Sequence, residues 1–140
     1  MLDIEVKEGN EEYRIEVSEL FTMPENDKCD ICLKGRSEYW VYHIINKKFI
    51  VRFQCVSCYY QSLEEAINYI KNNFSKLSYF KILTEYIYLR FEKTDNRSHC
   101  SKCGKDTNYL IVYANNSNPT EFYLCQNCLY DLLLSILNQI

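Results

Sequence analysis

The chain has 140 residues, of which 47% are apolar, and it carries a formal net charge of −3 with only three glycines and two prolines. This composition is typical of a folded globular protein, and it argues against a long flexible linker or a disordered chain. No apolar run reaches the roughly 18 residues of a membrane helix, and the first residues lack the basic and apolar regions of a signal peptide. We therefore expect a cytoplasmic protein without membrane contacts, in a reducing compartment where cysteines bind metal more readily than they form disulfides.

The N-terminal segment, residues 1–28, is predicted to form an acidic β-hairpin that packs on the module that follows it. Apolar residues alternate with polar ones over 2–7 and 12–17, on either side of a turn at 8–11, which is the pattern of two half-buried strands. Ten acidic and three basic side chains lie within residues 1–30. We expect this hairpin to present a negative edge to a basic partner.

All eight cysteines belong to C-x-x-C pairs, and the four pairs form two sets with internal gaps of 22 and 21 residues. Two short pairs of thiolates with a hairpin-sized gap between them are what a closed tetrahedral zinc site requires. We therefore predict two structural zinc ions, with iron as the alternative metal in the same four-cysteine geometry. A thioredoxin-type redox pair, or a set of disulfides, would not require the matched spacing. The predicted ligands are Cys29, Cys32, Cys55 and Cys58 for site 1, and Cys100, Cys103, Cys125 and Cys128 for site 2.

The two cysteine sets divide the remaining chain into a first four-cysteine zinc module at 29–76, a connecting segment at 77–99 and a second four-cysteine zinc module at 100–140. Each module is predicted to hold a β-hairpin between its cysteine pairs and a helix after the second pair. The connecting segment fits both a helix and a strand. Residues 62–65 read Ser-Leu-Glu-Glu, which has the pattern of a capping box at a helix start. The predicted hairpin strands are 38–45 with 48–54, and 108–114 with 120–124.

The two modules are similar enough to predict an internal repeat. The first cysteines of the two sets are 71 residues apart in the sequence, and the third cysteines are 70 apart. One position differs. Gly104 directly follows the second cysteine of site 2 and can adopt the left-handed backbone conformation that such a loop needs, whereas Leu33 holds this position in site 1. We therefore expect the loop of site 1 to be looser or differently shaped.

Each module has the order C-x-x-C loop, hairpin, C-x-x-C pair, helix, and this order resembles the treble-clef class of zinc finger over residues 29–74 and 100–140. The resemblance implies an α+β fold of two zinc-stapled repeats, with the N-terminal hairpin as an addition. Treble clefs serve DNA binding, ribosome assembly, ubiquitin transfer and protein docking. The resemblance therefore predicts a fold and leaves the function open.

The sequence offers no recognisable catalytic motif. It has no glycine-rich phosphate loop, no nucleophile elbow and no H-E-x-x-H pair. We interpret His99 as an exposed bystander, because four thiolates already complete a zinc site. His43 is interpreted as a hydrogen-bonded histidine within a strand. We therefore expect that the protein is not an enzyme.

Nucleic acid is the alternative partner. Basic residues cluster in the first module, and the 13 tyrosines, seven phenylalanines and single tryptophan could supply surfaces on which bases stack. The net negative charge opposes this interpretation, because zinc-bound thiolates make the loaded protein still more negative. The basic residues in question are Lys34, Arg36, Lys47, Lys48 and Arg52.

A protein partner is favoured over nucleic acid because the C-terminal helix is apolar on more than one face. Leu134 lies outside its main apolar stripe, so we expect this helix to contact the other module, a protein partner or a second copy in a homodimer. The sequence thus predicts an adaptor or regulator that docks on a protein or nucleoprotein complex, such as the transcription or translation machinery. The predicted interface residues are Leu129, Leu133, Leu134, Ile136, Leu137 and Ile140.

Overall fold

The computed structural model describes residues 2–19 and 28–139, which form eight strands, two α-helices and one turn of 3-10 helix at Phe74–Lys76. The helices are α1 (Val56–Asn73) and α2 (Gln126–Leu137). The strands are β1 (Leu2–Glu8), β2 (Glu11–Glu19), β3 (Tyr39–Ile45), β4 (Lys48–Gln54), β5 (Tyr79–Thr84), β6 (Ile87–His99), β7 (Asp106–Asn115) and β8 (Thr120–Tyr123).

All eight strands form one antiparallel sheet in the order β4-β3-β2-β1-β5-β6-β7-β8. The predicted hairpins exist, but they are not separate units, and the N-terminal hairpin lies in the middle of the sheet rather than at its side. The reason is the pairing of β1 with β5, in which Ile4 lies opposite Ile82. Both side chains are fully buried, so this pairing joins the apolar faces of the two halves.

One face of the sheet is covered by both helices, and the other face carries no helix; we refer to the latter as the open face. Strand residues of alternating position, such as Ile15, Leu89 and Ile111, share a single buried cluster with Ile70 of α1 and Leu133 of α2. The helices are amphipathic and bury one stripe each, which is the usual way in which a helix covers a half-buried sheet.

The order of four strands followed by a helix occurs twice along the chain. The first group is β1 to β4 with α1, the second is β5 to β8 with α2, and the two groups meet only between their first strands, β1 and β5, within the sheet. The last strand of each group, β4 or β8, is therefore an edge of the sheet. Whether residues 1–28, 29–76, 77–99 and 100–140 are units that fold alone stays a prediction.

The connecting segment, whose pattern fits both a helix and a strand, forms β5 and β6, with no α-helix among its residues. The Thr84 side chain accepts hydrogen bonds from the N–H groups of Tyr86 and Ile87, which turns the chain between these strands. The prediction of a helix start at the capping-box pattern of 62–65 was wrong. This pattern lies inside α1, where the hydroxyl of buried Ser62 donates to the side-chain oxygen of Gln54 at 3.4 Å.

The acidic hairpin does not form an edge of the sheet, because β1 and β2 are central strands, and three of its acidic side chains, Asp3, Glu5 and Glu16, are paired with cations on the open face. Asp3 is only 6% exposed. It accepts hydrogen bonds of 3.1 and 3.0 Å from Arg14 and lies 3.3 Å from the ammonium group of Lys81. Arg14 also binds Glu16 at 2.6 Å. The side chain of Glu19, and Glu25 and Asp27 entirely, lie outside the described residues.

The C-terminal helix buries most of the residues that were predicted to form an interface. Leu129, Leu133, Ile136 and Leu137 belong to the core, whereas Leu134 is half-buried and Ile140 lies outside the described residues. The helix also reaches the first half of the chain, since the Tyr130 ring contacts the Phe74 ring edge-on at 5.1 Å. A homodimer through this helix stays a prediction, and among the described interface residues it would rest on Leu134. Within the described ranges, neither helix is long and apolar enough to cross a bilayer.

We predict that Leu133→Ala lowers the free energy of unfolding by about 2–5 kcal/mol, because it leaves a cavity in the core. Leu134→Ala, one position along the same helix, should cost less than about 1 kcal/mol, because that side chain is only half-buried. Urea denaturation followed by circular dichroism would measure both variants. Equal losses would mean that α2 does not pack on the sheet through the stripe described above.

Candidate metal centres

Site 1 lies where the edge strand β4 ends and α1 begins. Cys55 directly follows β4 and occupies the N-cap position of α1, and Cys58 lies in the first helical turn. The other two cysteines belong to a tight loop before β3, which is closed by hydrogen bonds from the Cys29 N–H to the Gly35 carbonyl at 2.8 Å and from the Leu33 N–H to the Cys29 carbonyl at 3.0 Å. The chain thus brings a loop, a strand end and a helix start together at one point.

Site 2 is built in the same way at the opposite edge of the sheet. Cys125 follows β8 and caps α2, with backbone angles within a degree or so of those of Cys55. The loop of Cys100 and Cys103 is closed by the Gly104 N–H, which donates to the Cys100 carbonyl at 2.9 Å. The two sites lie at opposite edges of the eight-stranded sheet, and their ligand atoms form two separate groups, so they cannot share one metal ion.

The sulfur atoms of each site are spaced as a tetrahedral metal centre requires. In both groups, all four Sγ atoms lie within 4.8 Å of one another. The closest pairs are Cys32 with Cys55 at 3.9 Å and Cys103 with Cys125 at 3.5 Å. Four thiolates bound to zinc at about 2.3 Å have sulfur–sulfur distances of about 3.8 Å. Each group could therefore hold one metal ion with four sulfur ligands and no position left open.

The electrostatics of the thiols favour a bound cation. Burial acts to raise the pKa of Cys29 and Cys100, but backbone N–H groups around each sulfur stabilise the thiolate more strongly and lower both pKa values to about 6. Burial raises the pKa of Cys58 to about 12, and the hydrogen bond with Cys125 raises the pKa of Cys128 to about 12. The first thiolate forms readily and opposes the ionisation of its neighbours, so a divalent cation is what allows all four to ionise.

The loop of site 1 differs from that of site 2 in its length, because the Cys29 N–H donates to the carbonyl six residues ahead, at Gly35, whereas the Cys100 N–H donates to the one five residues ahead, at Lys105. The turn after the second cysteine, however, is the same in both loops. Leu33 has a φ of +63°, and Gly104, at the corresponding place, has a φ of +78°. Leu33 therefore adopts the left-handed conformation that was predicted to need glycine, at a cost of roughly 1–2 kcal/mol. The loop geometry required by the two ligands outweighs the preference of the leucine backbone.

Gly35 is a site residue that sequence reasoning missed. A Cβ atom at this position would lie 2.7 Å from the Cβ of Cys55 and 2.9 Å from its Sγ, which is closer than atoms of these kinds approach. The Gly35 N–H also lies 3.4 Å from the sulfur of Cys32 and donates to it. In the sequence, Gly35 lies two residues later in its loop than Gly104 does in the loop of site 2. This shift is the one signal that the sequence gives, and the structure explains it by the contact between Gly35 and the ligand Cys55.

The two histidines lie outside the metal centres. His99 is exposed and pairs with Asp106 at 3.1 Å. His43 lies in β3 and is not satisfied as predicted, because its buried Nε2 has no hydrogen-bond partner among the described residues. Across the described part of the chain, the two four-cysteine groups are the sole clusters of three or more potential metal ligands.

The five basic residues proposed for nucleic acid do not share one surface. Lys34 and Arg36 lie in the loop of site 1, at the end of β4, whereas Lys47 and Lys48 lie at its beginning, about 20 Å away along the strand. Arg52 is opposite buried Val41 and so lies on the helix-covered side of the sheet. The aromatic residues that could stack with bases, Trp40, Tyr42 and Phe49, are on the open face, where the first two rings stack at 5.7 Å.

Comparison of the chain with protein-family models, with curated proteins and with solved structures finds no match. The functional conclusion therefore rests on the geometry of this molecule.

We predict that Cys55→Ser and Cys125→Ser each lower the metal content from two ions per chain to one, because each removes a ligand from a separate centre. Native mass spectrometry of the protein prepared under reducing conditions would count the ions, and elemental analysis would identify the metal. The double variant should bind none. A single variant that loses both ions would contradict the independence of the two sites.

Gly35→Ala should release metal from site 1 faster than the parent protein does, because the added methyl group collides with Cys55. Gly104→Ala is the matched control, since its Cβ would meet no atom within 4 Å and only the positive φ opposes it, at a cost of about 1 kcal/mol. Transfer of metal to a coloured chelator would give both rates. If Gly104→Ala accelerates release as much as Gly35→Ala, contact with Cys55 is not what the glycine provides.

Proposed function

We propose that this protein is a non-enzymatic adaptor or regulator that binds two structural zinc ions and docks on a protein or nucleoprotein complex. The observation that carries the proposal is the pair of four-cysteine groups, each with all four Sγ atoms within 4.8 Å. A metal with four protein ligands has no open position for water or substrate, which is the distinction between structural and catalytic zinc.

Zinc is proposed over iron because a closed tetrahedron of four cysteines is its most common structural site, and because zinc has no redox chemistry that would damage the thiolates. The lowered pKa values of Cys29 and Cys100 favour metal binding near neutral pH. Since the ligands are ordered only in the folded chain, the binding free energy of each ion adds to the free energy of unfolding. A reducing intracellular compartment is part of this proposal, because it keeps the eight thiols available.

The surroundings of the two sites support a duplicated treble-clef-like unit. In each half a C-x-x-C loop, two strands, a second C-x-x-C pair and a helix follow one another. In each loop, the residue after the second cysteine donates its N–H to the carbonyl of the first cysteine. We infer that each unit also includes the two strands before the loop, since these precede it in both halves. By analogy at the level of fold alone, transcription and translation complexes are suitable hosts.

Docking is proposed in place of catalysis because exposed apolar side chains concentrate in one region. Among the described residues, eight large apolar side chains are exposed, and six of them lie in the site 1 loop and the β3–β4 hairpin. Clustered apolar surface on a small stable scaffold is characteristic of a protein-binding site. The six residues are Ile31, Leu33, Ile45, Phe49, Ile50 and Val51.

The proposal predicts that the tagged full chain, loaded with zinc, captures the same protein from a lysate of its source cells before and after nuclease treatment. The reason is that apolar contacts between proteins do not depend on a nucleic-acid tether. A parallel titration with a labelled single-stranded oligonucleotide at physiological salt, followed by fluorescence anisotropy, should give weak or undetectable binding.

Loss of the captured protein after nuclease treatment, together with oligonucleotide binding that persists at physiological salt, would reverse the choice between a protein and a nucleic acid as the principal partner. The basic residues of the first module would then bind nucleic acid in spite of the net negative charge.

A further inference from the structure

The two edges of the sheet differ in length and chemistry. β8 has four residues, begins directly after Pro119 and exposes Glu121, so it is a short and charged edge. β4 has seven residues and exposes apolar side chains on both faces, with Phe49 66% exposed, Ile50 48% and Val51 41%. Natural proteins usually protect such an edge, because its unpaired N–H and C=O groups can pair with another strand.

The outer side of β4 is occupied at one end and open along the rest. Asp30 of the site 1 loop pairs with Phe53: its N–H donates to the Phe53 carbonyl at 2.9 Å, and its carboxylate accepts from the Phe53 N–H at 2.8 Å. Backbone groups alternate in direction along an antiparallel strand, so those of Val51 and Phe49 point outward as well. No backbone group of the described residues pairs with these two positions on that side.

The charged side chains of β4 and its turn are all basic, and the Asp30 carboxylate at the Phe53 end of this edge is held by its hydrogen bond to the Phe53 N–H. Residues 45–53 contain three basic side chains, Lys47, Lys48 and Arg52, and no acidic one, in a protein whose net charge is negative. Lys48, Ile50 and Arg52 lie on the helix-covered side, whereas Phe49 and Val51 lie on the open face. A strand that fits beside β4 would therefore carry acidic side chains on one face and apolar ones on the other.

A second copy of the chain does not satisfy this requirement. Antiparallel pairing of two β4 strands centred on Ile50 places Lys48 of each copy opposite Arg52 of the other, and like charges directly opposite each other are unfavourable. Pairing centred on Phe49 or on Val51 also brings the three basic residues of one copy next to those of the other, with no acidic residue of β4 between them. The charge thus favours a partner of different sequence.

The loop of site 1 extends the same surface. Ile31 and Leu33 are 43% and 67% exposed, and Asp30 holds their loop against the Phe53 end of β4. The loop of site 2 has Lys102 and Gly104 at the corresponding places. Because both loops have the same positive φ at this place, what distinguishes the loop of site 1 is the exposed leucine side chain, which site 2 replaces with glycine.

We propose that the outer edge of β4 binds an extended segment of a partner protein as a ninth strand, with alternating apolar and acidic side chains. The N–H and C=O groups of Phe49 and Val51 pair with the segment, Lys48 and Arg52 contact its acidic side chains, and Ile31 and Leu33 contact the residues beyond Phe53. This mode of binding is strand addition to a sheet edge. The inference rests on the proposed docking function and names its site and the chemistry of its partner.

The test uses the zinc-loaded full chain and a fluorescein-labelled peptide of about eight residues that alternates valine and glutamate, long enough to span an edge strand. Fluorescence anisotropy should show saturable binding, at least about tenfold tighter than that of the same peptide with lysine in place of glutamate.

Val51→Pro should weaken binding by at least about tenfold, because proline removes the outward N–H. Glu121→Pro, the matched change on the opposite edge, should leave it unchanged, and Lys48→Glu with Arg52→Glu should transfer the preference to the lysine peptide.

All variants must keep two bound ions and the melting temperature of the parent to within a few degrees, which an edge position permits for proline. Equal binding by Val51→Pro and Glu121→Pro, or no binding of the glutamate peptide at millimolar concentration, would overturn the inference. So would a concentration-dependent dimer that Val51→Pro abolishes, or displacement of the peptide by single-stranded nucleic acid.

Failure of this inference differs from failure of the proposed function. If the parent and Val51→Pro capture the same protein after nuclease treatment, docking stands and the β4 edge is not its site. If the peptide binds as described but no protein is captured without nucleic acid, the edge is a strand-binding site and the docking function is wrong.

Discussion

Four cysteine sulfur atoms meet at each of two points in this fold, where a loop, an edge strand and a helix start come together. The sulfur atoms lie within 4.8 Å of one another, a distance at which four negative charges repel strongly unless a cation lies between them. A divalent ion between them would offset this repulsion and form four metal–sulfur bonds, which would fix the loop to the strand end and the helix start. An ion bound at either point would therefore stabilise an edge of the sheet, where strands have a neighbour on one side only.

The sheet and its core join the two four-cysteine groups, which have no ligand in common. β1 and β5 pair along the middle of the molecule, and the apolar residues of both halves form a single buried cluster. The charged network of Asp3, Arg14 and Lys81 lies over the same seam on the open face. The described residues thus form one continuous core, while the two four-cysteine groups lie at opposite edges of the sheet.

The sequence predicts well what depends on neighbours along the chain. The cysteine spacing predicts which sulfur atoms come together, and the alternation around residues 8–11 predicts the first hairpin. The pairing of β1 with β5 joins segments more than about 70 residues apart, and no local pattern encodes it. The 62–65 pattern failed because Cys55 begins the helix earlier, and the positive φ of Leu33 was missed because ligand geometry outweighs the preference of a residue. Gly35 could be assigned only once Cys55 was seen beside it.

The two halves have the same arrangement of cysteine sulfur atoms but differ in their exposed apolar side chains. This difference is the basis for proposing that the first half is the docking site. That assignment, like the fold, requires that both four-cysteine groups bind zinc. X-ray absorption at the zinc edge tests this most directly, on protein purified under reducing conditions without added metal. We expect a single shell of four sulfur atoms at about 2.3 Å from each ion. Nitrogen or oxygen neighbours in that shell, or a protein that contains iron in place of zinc, would contradict it.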